Sequence, residues 1–224
     1  LYPAASDGDD IVLYADESRE RERMRLPQLR NQQADRERNL SLADFVAPLG
    51  SGVKDYVGAF AVTAGLGLEE LAGRYRSEGD DYRAIMAKLL ADRLTEAFAE
   101  ALHRYARVTL WGYEREGQWS VGDLLAEKYQ GIRPAFGYPS APDHSLKADV
   151  FALMDVGTVT GMTMTESYMI VPGEAACGLM LGHPEARNFS VGRIDSEQLA
   201  SYAARRGTDS EKMRVLIPQH LIDM

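Results

Sequence analysis

The chain has one cysteine, Cys177, among 224 residues, so no disulfide can form within it. It has no run of about 18 apolar residues, hence no candidate membrane-spanning helix. No charged-then-apolar stretch at the amino end marks a secretory signal. These absences fit a reducing compartment, and a cytoplasmic location is expected. Excess positive charge is also missing. The formal net charge of −9 argues against a general nucleic-acid binder, though not against a local basic patch. No G-x-G-x-x-G, Walker or G-x-S-x-G motif is present. His103, His144, His183 and His220 have no ligand spacing to one another or to Cys177, which argues against a zinc site. Cys177 sits in an apolar stretch and reads as a buried, inert thiol in preference to a nucleophile. An initiator methionine is lacking as well. The chain starts at Leu1, which leaves open that it is a piece of something longer.

What is present is ordinary for a globular protein. Hydrophobic residues make up 45% and charged residues 26%, enough for one large domain with a sizeable core. "DDIVLYADE" (9–17) alternates like a strand. The Arg- and Glu-dense stretch 17–39 reads as an exposed helix interrupted near Pro27. "SLADFVAP" (41–48) and "KDYVGAFAVTAG" (54–65) read as strands, and 67–79 as a short helix ending at Gly79. From Asp81 to Arg107, Tyr82, Met86, Leu90, Leu94, Phe98 and Leu102 recur every four residues, forming one apolar stripe on a long amphipathic helix. Ser120 caps a helix over 121–129, and Ser145 is a candidate cap for 146–156. Residues 161–172 and 175–184 read as paired strands, with 189–194 as a third. The late methionines 162, 164, 169 and 180 read as core filling. Asp195 with Gln198 opens a helix that ends at Gly207, and Thr208 with Glu211 opens the last one. Strands cluster and do not alternate strictly with helices. The fold class expected is α+β, a mainly antiparallel twisted sheet with flanking helices.

"YQGIRPAFGYPSAPDHS" (129–145) fits neither period. Three X-Pro bonds hold Arg133, Tyr138 and Ala141 extended, so the loop is stiff before any ligand arrives. Gly137 permits a reversal or a close approach. Alternation along the loop would put the Phe136 and Tyr138 rings on one side. Arg133 offers a planar fork that matches a carboxylate. Two readings stay open on composition alone: a preformed site for a small planar acidic ligand, or a surface loop whose arginine pairs with a structural carboxylate.

"SLADFVAP", "DYVGAFAVTAGL", "GDDYRAIMAKLLADRLTEAFAEALH", "YQGIRPAFGYPSAPDH", "TGMTMTES" and "YAARRG" together resemble the activation domain of cobalamin-dependent methionine synthase, across nearly the whole chain. The resemblance implies one activation domain over 1–224. It implies binding of S-adenosylmethionine, whose methyl group traps reduced cobalamin as methylcobalamin after oxidation to cob(II)alamin. The partners it implies are the cobalamin-binding domain of methionine synthase and an electron donor, flavodoxin or a diflavin reductase. By position it places Arg133 on the ligand carboxylate, Ala135 at the adenine region and Tyr138 facing both ligand and corrin, with Gly137 among the ligand-binding residues. Glu96 and Glu127 fall near the ligand's positive charges, Asn188 and Phe189 contact it, and His144 lies near the corrin. Three departures stand out. Asn188 replaces a usual tyrosine. Phe136 replaces a proline, beside the expected adenine site. The family's N-terminal helical segment, with an aspartate for the ligand amino group, would precede "LYPAASDGDD", where this chain begins; either it was cut away or the protein manages without it. Neither a D-x-H-x-x-G motif nor a zinc-thiolate site is present, so the resemblance implies part of a methyltransferase that does not make methionine alone. The other reading is a docking module for a corrinoid protein or flavodoxin, with a lost or weakened S-adenosylmethionine site.

Overall fold

The computed structural model describes residues 1–33 and 39–221. Its centre is a five-stranded antiparallel sheet. In chain order its strands are β1 (Tyr2–Asp7), β2 (Asp10–Tyr14), β3 (Glu22–Pro27), β4 (Asp55–Thr63) and β7 (Ala175–Leu181), in spatial order β3-β2-β1-β4-β7. A separate small ribbon pairs β5 (Thr163–Met164) with β6 (Ile170–Val171). The helices are α1 (Leu68–Ser77), α2 (Asp81–Tyr105), α3 (Val121–Leu125), α4 (Leu146–Met154), α5 (Val156–Thr160), α6 (Ser196–Arg205) and α7 (Ser210–Leu216). The expected α+β class is therefore found. Among the described residues no helix is long and apolar enough to cross a membrane.

Strand alternation divides the core into layers. On β4, Val57, Ala59 and Ala61 face the main cluster, where Leu146, Val150 and Leu153 of α4 pack with Leu42 and Phe45. Phe60 and Val62 face the other way, onto Ala99 and Leu102 of α2. The sheet thus lies between α4 and α2. A smaller cluster, including Val191, Leu199, Tyr202 and Met213, seats α6 and α7.

Several sequence expectations are corrected. Residues 22–27 form a strand because Met24 and Leu26 alternate inward, while Arg25 projects to Glu22, Asp7 and Asp10. The rest of the expected 17–39 helix falls partly on 34–38, outside the described residues. "LADF" is a turn of 3₁₀ helix, closed by a capping box between Ser41 and Asp44. Strand β7 pairs with β4 and not with 161–172, and 189–194 forms no strand beyond a bridge from Ile194 to Leu221. Ser145 stands at the N-cap of α4 but its side chain makes no capping bond, and Asp209, not Thr208, caps α7. Met162 and Met180 are buried as expected, but Met169 is exposed.

The largest correction concerns α2. Its sheet-facing residues are Ala91, Thr95, Ala99 and His103, spaced four apart and mostly small, so the helix axis comes close to the sheet. Most of the large apolar stripe points outward, with Tyr82 74%, Leu94 60% and Phe98 51% exposed, and only its last member, Leu102, turns to the sheet.

Candidate ligand-binding cleft

The proline-rich segment is not a free loop. Ile132 and Leu181 exchange both backbone hydrogen bonds at 2.9 Å. Leu179 donates to the Pro134 carbonyl at 3.0 Å, and Phe136 donates to the Cys177 carbonyl at 3.0 Å. Residues 132–136 thus extend the sheet beyond β7, and proline at 134 is tolerated at this outer edge. A Cβ at Gly178 would overlap the Pro134 carbonyl, which explains the glycine. The chain then reverses at Gly137, whose φ is +95° and whose N–H donates to Ala141 at 2.8 Å.

This pairing fixes which side chains face which way. Phe136 goes into the main core at 2% exposure, whereas Tyr138 remains 58% exposed. The two rings do not share a side, and Phe136 does not lie beside the cleft. The reason is the strand-like pairing with Cys177, which turns the 136 side chain towards α4 and the sheet interior.

Arg133, Pro134, Ala135, Tyr138, Pro139 and Ser140 form one wall of a cleft of ≈ 260 Å³. Phe60, Glu96, Ala99 and Ala176, from β4, α2 and β7, supply the facing side, and Asn188 and Phe189 complete it. Of the nine residues singled out from the sequence, Glu96, Arg133, Ala135, Tyr138, Asn188 and Phe189 come together here. Glu127 stands at the rim, where its carboxylate accepts a 3.1 Å hydrogen bond from the Asn188 amide. Its φ of +49° is left-handed, an uncommon conformation for a glutamate. Gly137 and His144 lie behind the wall. A Cβ at Gly137 would strike the His144 ring, so the glycine lets the imidazole pack against the turn. His144 Nδ1 is 2.8 Å from the Lys147 ammonium, and burial followed by that charge lowers the imidazole pKa. Burial also lowers the Lys147 pKa.

Sequence reading missed the layer beneath Arg133. Glu100 accepts from Arg133 Nη1 at 2.6 Å and from the Tyr129 hydroxyl at 2.9 Å. Arg107 is fully buried and pairs with Glu114 at 2.8 Å. His103 has no exposed surface and neither ring nitrogen is hydrogen-bonded. Burial, then the charges of Arg107 and Arg133, hold its pKa down to about 3, so it is neutral. A signal did exist. Glu96, Glu100, His103 and Arg107 recur at steps of four, three and four along one helical face. Burial raises the Cys177 thiol to about 12, consistent with the inert thiol expected for it.

An antiparallel sheet, extended at one edge by a stiff segment that builds a small charged cleft, defines a ligand-binding α+β module. The family model described as "Vitamin B12 dependent methionine synthase, activation domain" matches residues 1–207, and the chain belongs to that family. It is similar to a solved structure described as "Crystal Structure of the MetH Reactivation Domain bound to AdoHcy". The two share 42% identity with a TM-score of 0.97, over 100% of this chain and 69% of that one. Methionine synthase is a methyltransferase, and its cobalamin is carried by another of its domains.

Proposed function

We propose that the chain binds S-adenosylmethionine in the Arg133 cleft and presents its methyl group to cobalamin held by a partner domain of methionine synthase. Membership of the activation-domain family and the AdoHcy-bound relative support this reading. The observation that carries it is the state of Arg133. Its Nη1 is engaged, while among the described residues Nε and Nη2 have no hydrogen-bond partner, and the side chain lines the cleft. That free edge fits the ligand carboxylate in a two-point pair. Glu96 in the cleft and Glu127 at its rim fit the ammonium and sulfonium. The Ala135 backbone and the apolar Phe60, Ala99 and Ala176 fit the nucleoside, with Tyr138 exposed at the mouth.

The chain need supply no nucleophile. Cob(II)alamin gains one electron, and the reduced cobalt takes the methyl group: the carbon–sulfur bond breaks, a cobalt–carbon bond forms and AdoHcy leaves. This chain's residues bind, orient and desolvate the donor. We assign the electron to flavodoxin or a diflavin reductase, His144 to the corrin side, and residues 1–224 to one working unit.

Titration calorimetry with S-adenosylmethionine and AdoHcy tests the proposal on wild type and Arg133→Ala. Binding by the wild type and a loss of about tenfold or more in the variant is expected, the scale of a charge-assisted pair. A folded wild type that binds neither ligand, or a variant that binds unchanged, overturns it.

One observation favours a second reading, a docking module with a weakened site: the Asn188 amide already occupies Glu127. Pull-down with the cobalamin domain separates the two. Association that does not respond to S-adenosylmethionine favours the docking module.

A further inference from the structure

Arg133 is held from behind by three coupled contacts. Its Nη1 donates to Glu100 Oε2 at 2.6 Å and to the Tyr129 hydroxyl oxygen at 2.7 Å. The same hydroxyl donates to the same carboxylate oxygen at 2.9 Å. Both Nη1 hydrogens are therefore used, and the three hydrogens on Nε and Nη2 remain. A carboxylate pairs with Nε and Nη2 along one edge of the guanidinium. The contacts to Nη1 decide where that edge points.

The triangle cannot easily rotate. The Arg107 guanidinium lies 3.7 Å from the centre of the Tyr129 ring, and His103 meets the ring edge-on at 5.3 Å. Arg107 is itself fixed by Glu114 in a buried pair. Glu100 Oε1 lies 3.6 Å from Arg107 Nη2, so the Glu100 charge is divided between two arginines and Arg133 keeps part of its field. Glu100 sits one turn after Glu96 on α2. One helix face thus offers a carboxylate to the cleft and, behind it, a second one to the arginine of the opposite wall.

We propose that Glu100, acting with Tyr129, is a positioning residue that grips Arg133 by Nη1 and turns its Nε–Nη2 edge into the cleft for the ligand carboxylate. This rests on the reading of Arg133 given under the proposed function.

The test compares AdoHcy with 5′-methylthioadenosine, which keeps the nucleoside and thioether but has no carboxylate. Calorimetry is run on wild type, Arg133→Ala, Glu100→Leu, Glu100→Gln, Tyr129→Phe and the Arg133→Ala/Glu100→Leu double variant. Glu100→Leu is expected to weaken AdoHcy about tenfold and to leave 5′-methylthioadenosine within about twofold. Tyr129→Phe, which removes one oxygen, should shift the balance in the same direction by a smaller factor. Glu100→Gln keeps an acceptor and should recover most of the affinity. The double variant should bind AdoHcy no worse than Arg133→Ala. If Arg133→Ala discriminates between the ligands but Glu100→Leu does not, the positioning role is wrong and the carboxylate reading stands. If Arg133→Ala does not discriminate, both fall.

Discussion

The Arg107 guanidinium lies over the Tyr129 ring, 3.7 Å from its centre, with no surface exposed to solvent. Its charge is balanced inside the protein by Glu114 at 2.8 Å. Removing one partner of such a pair strands the other charge in a low-dielectric interior, at a cost of about 3–5 kcal/mol. Arg107→Ala is expected to lose stability on that scale in urea unfolding. Replacing Arg107 and Glu114 together by leucine should cost much less. A single variant within about 1 kcal/mol of wild type would show that the pair is not structurally important.

His103 sets an acid limit on stability. Its folded pKa is about 3, against an ordinary value of 6.5. The folded state stays unprotonated while the unfolded chain takes up a proton. This contribution is complete above about pH 6.5 and is lost as pH falls towards 3, with a slope of up to about 1.4 kcal/mol per pH unit. His103→Leu breaks no hydrogen bond, because neither ring nitrogen makes one. Stability measured by chemical unfolding from pH 7.5 down to about 4 should therefore fall less steeply in His103→Leu. Parallel profiles would refute the assignment.

The two faces of α2 should respond in opposite ways to charge. Leu94 is 60% exposed, so Leu94→Glu is expected to change stability by no more than about 0.5 kcal/mol. Ala99 is 2% exposed against Phe60 and Met180, and Ala99→Glu should prevent folding. Circular dichroism melts decide it; equal effects would contradict the observed orientation of the helix.

Gly178 is required by a backbone, not by a turn. Gly178→Ala places a methyl group against the Pro134 carbonyl, and that segment must lift. We expect a loss of about 1–3 kcal/mol in thermal unfolding and weaker binding of AdoHcy, because Arg133 moves with the segment.

Much of this was legible in the sequence, and the failures have physical causes. β2, β4 and α1 follow their periodicity, and six of the nine chosen residues meet in one cleft. The motif resemblance, and not the spacing of charges, located them. Periodicity placed α2 correctly but pointed it the wrong way, because small residues at 91, 95 and 99 permit a close approach that large ones do not. The 22–27 strand was hidden because its outward Arg25 pairs with Glu22 on the same strand and with Asp7 and Asp10 across the sheet, and mixed charge also reads as a solvated helix. Phe136 was misjudged because pairing between residues 132–136 and β7 is non-local and leaves no mark in the local sequence. Glu100 shares a helical face with Glu96, but its partner was hidden by distance along the chain, because 33 residues separate it from Arg133.

The attachment of residues 132–136 also decides how the sheet ends. Without it, the apolar strand Ala175–Leu181 would present the backbone groups of Cys177, Leu179 and Leu181 unpaired, a template for another chain to add to. The covering segment carries Pro134, with Pro139 and Pro142 just beyond, and proline has no N–H to offer a newcomer. The stretch that shapes the cleft therefore also guards the molecule against edge-to-edge aggregation. Variants that loosen it should precipitate on concentration as well as lose ligand.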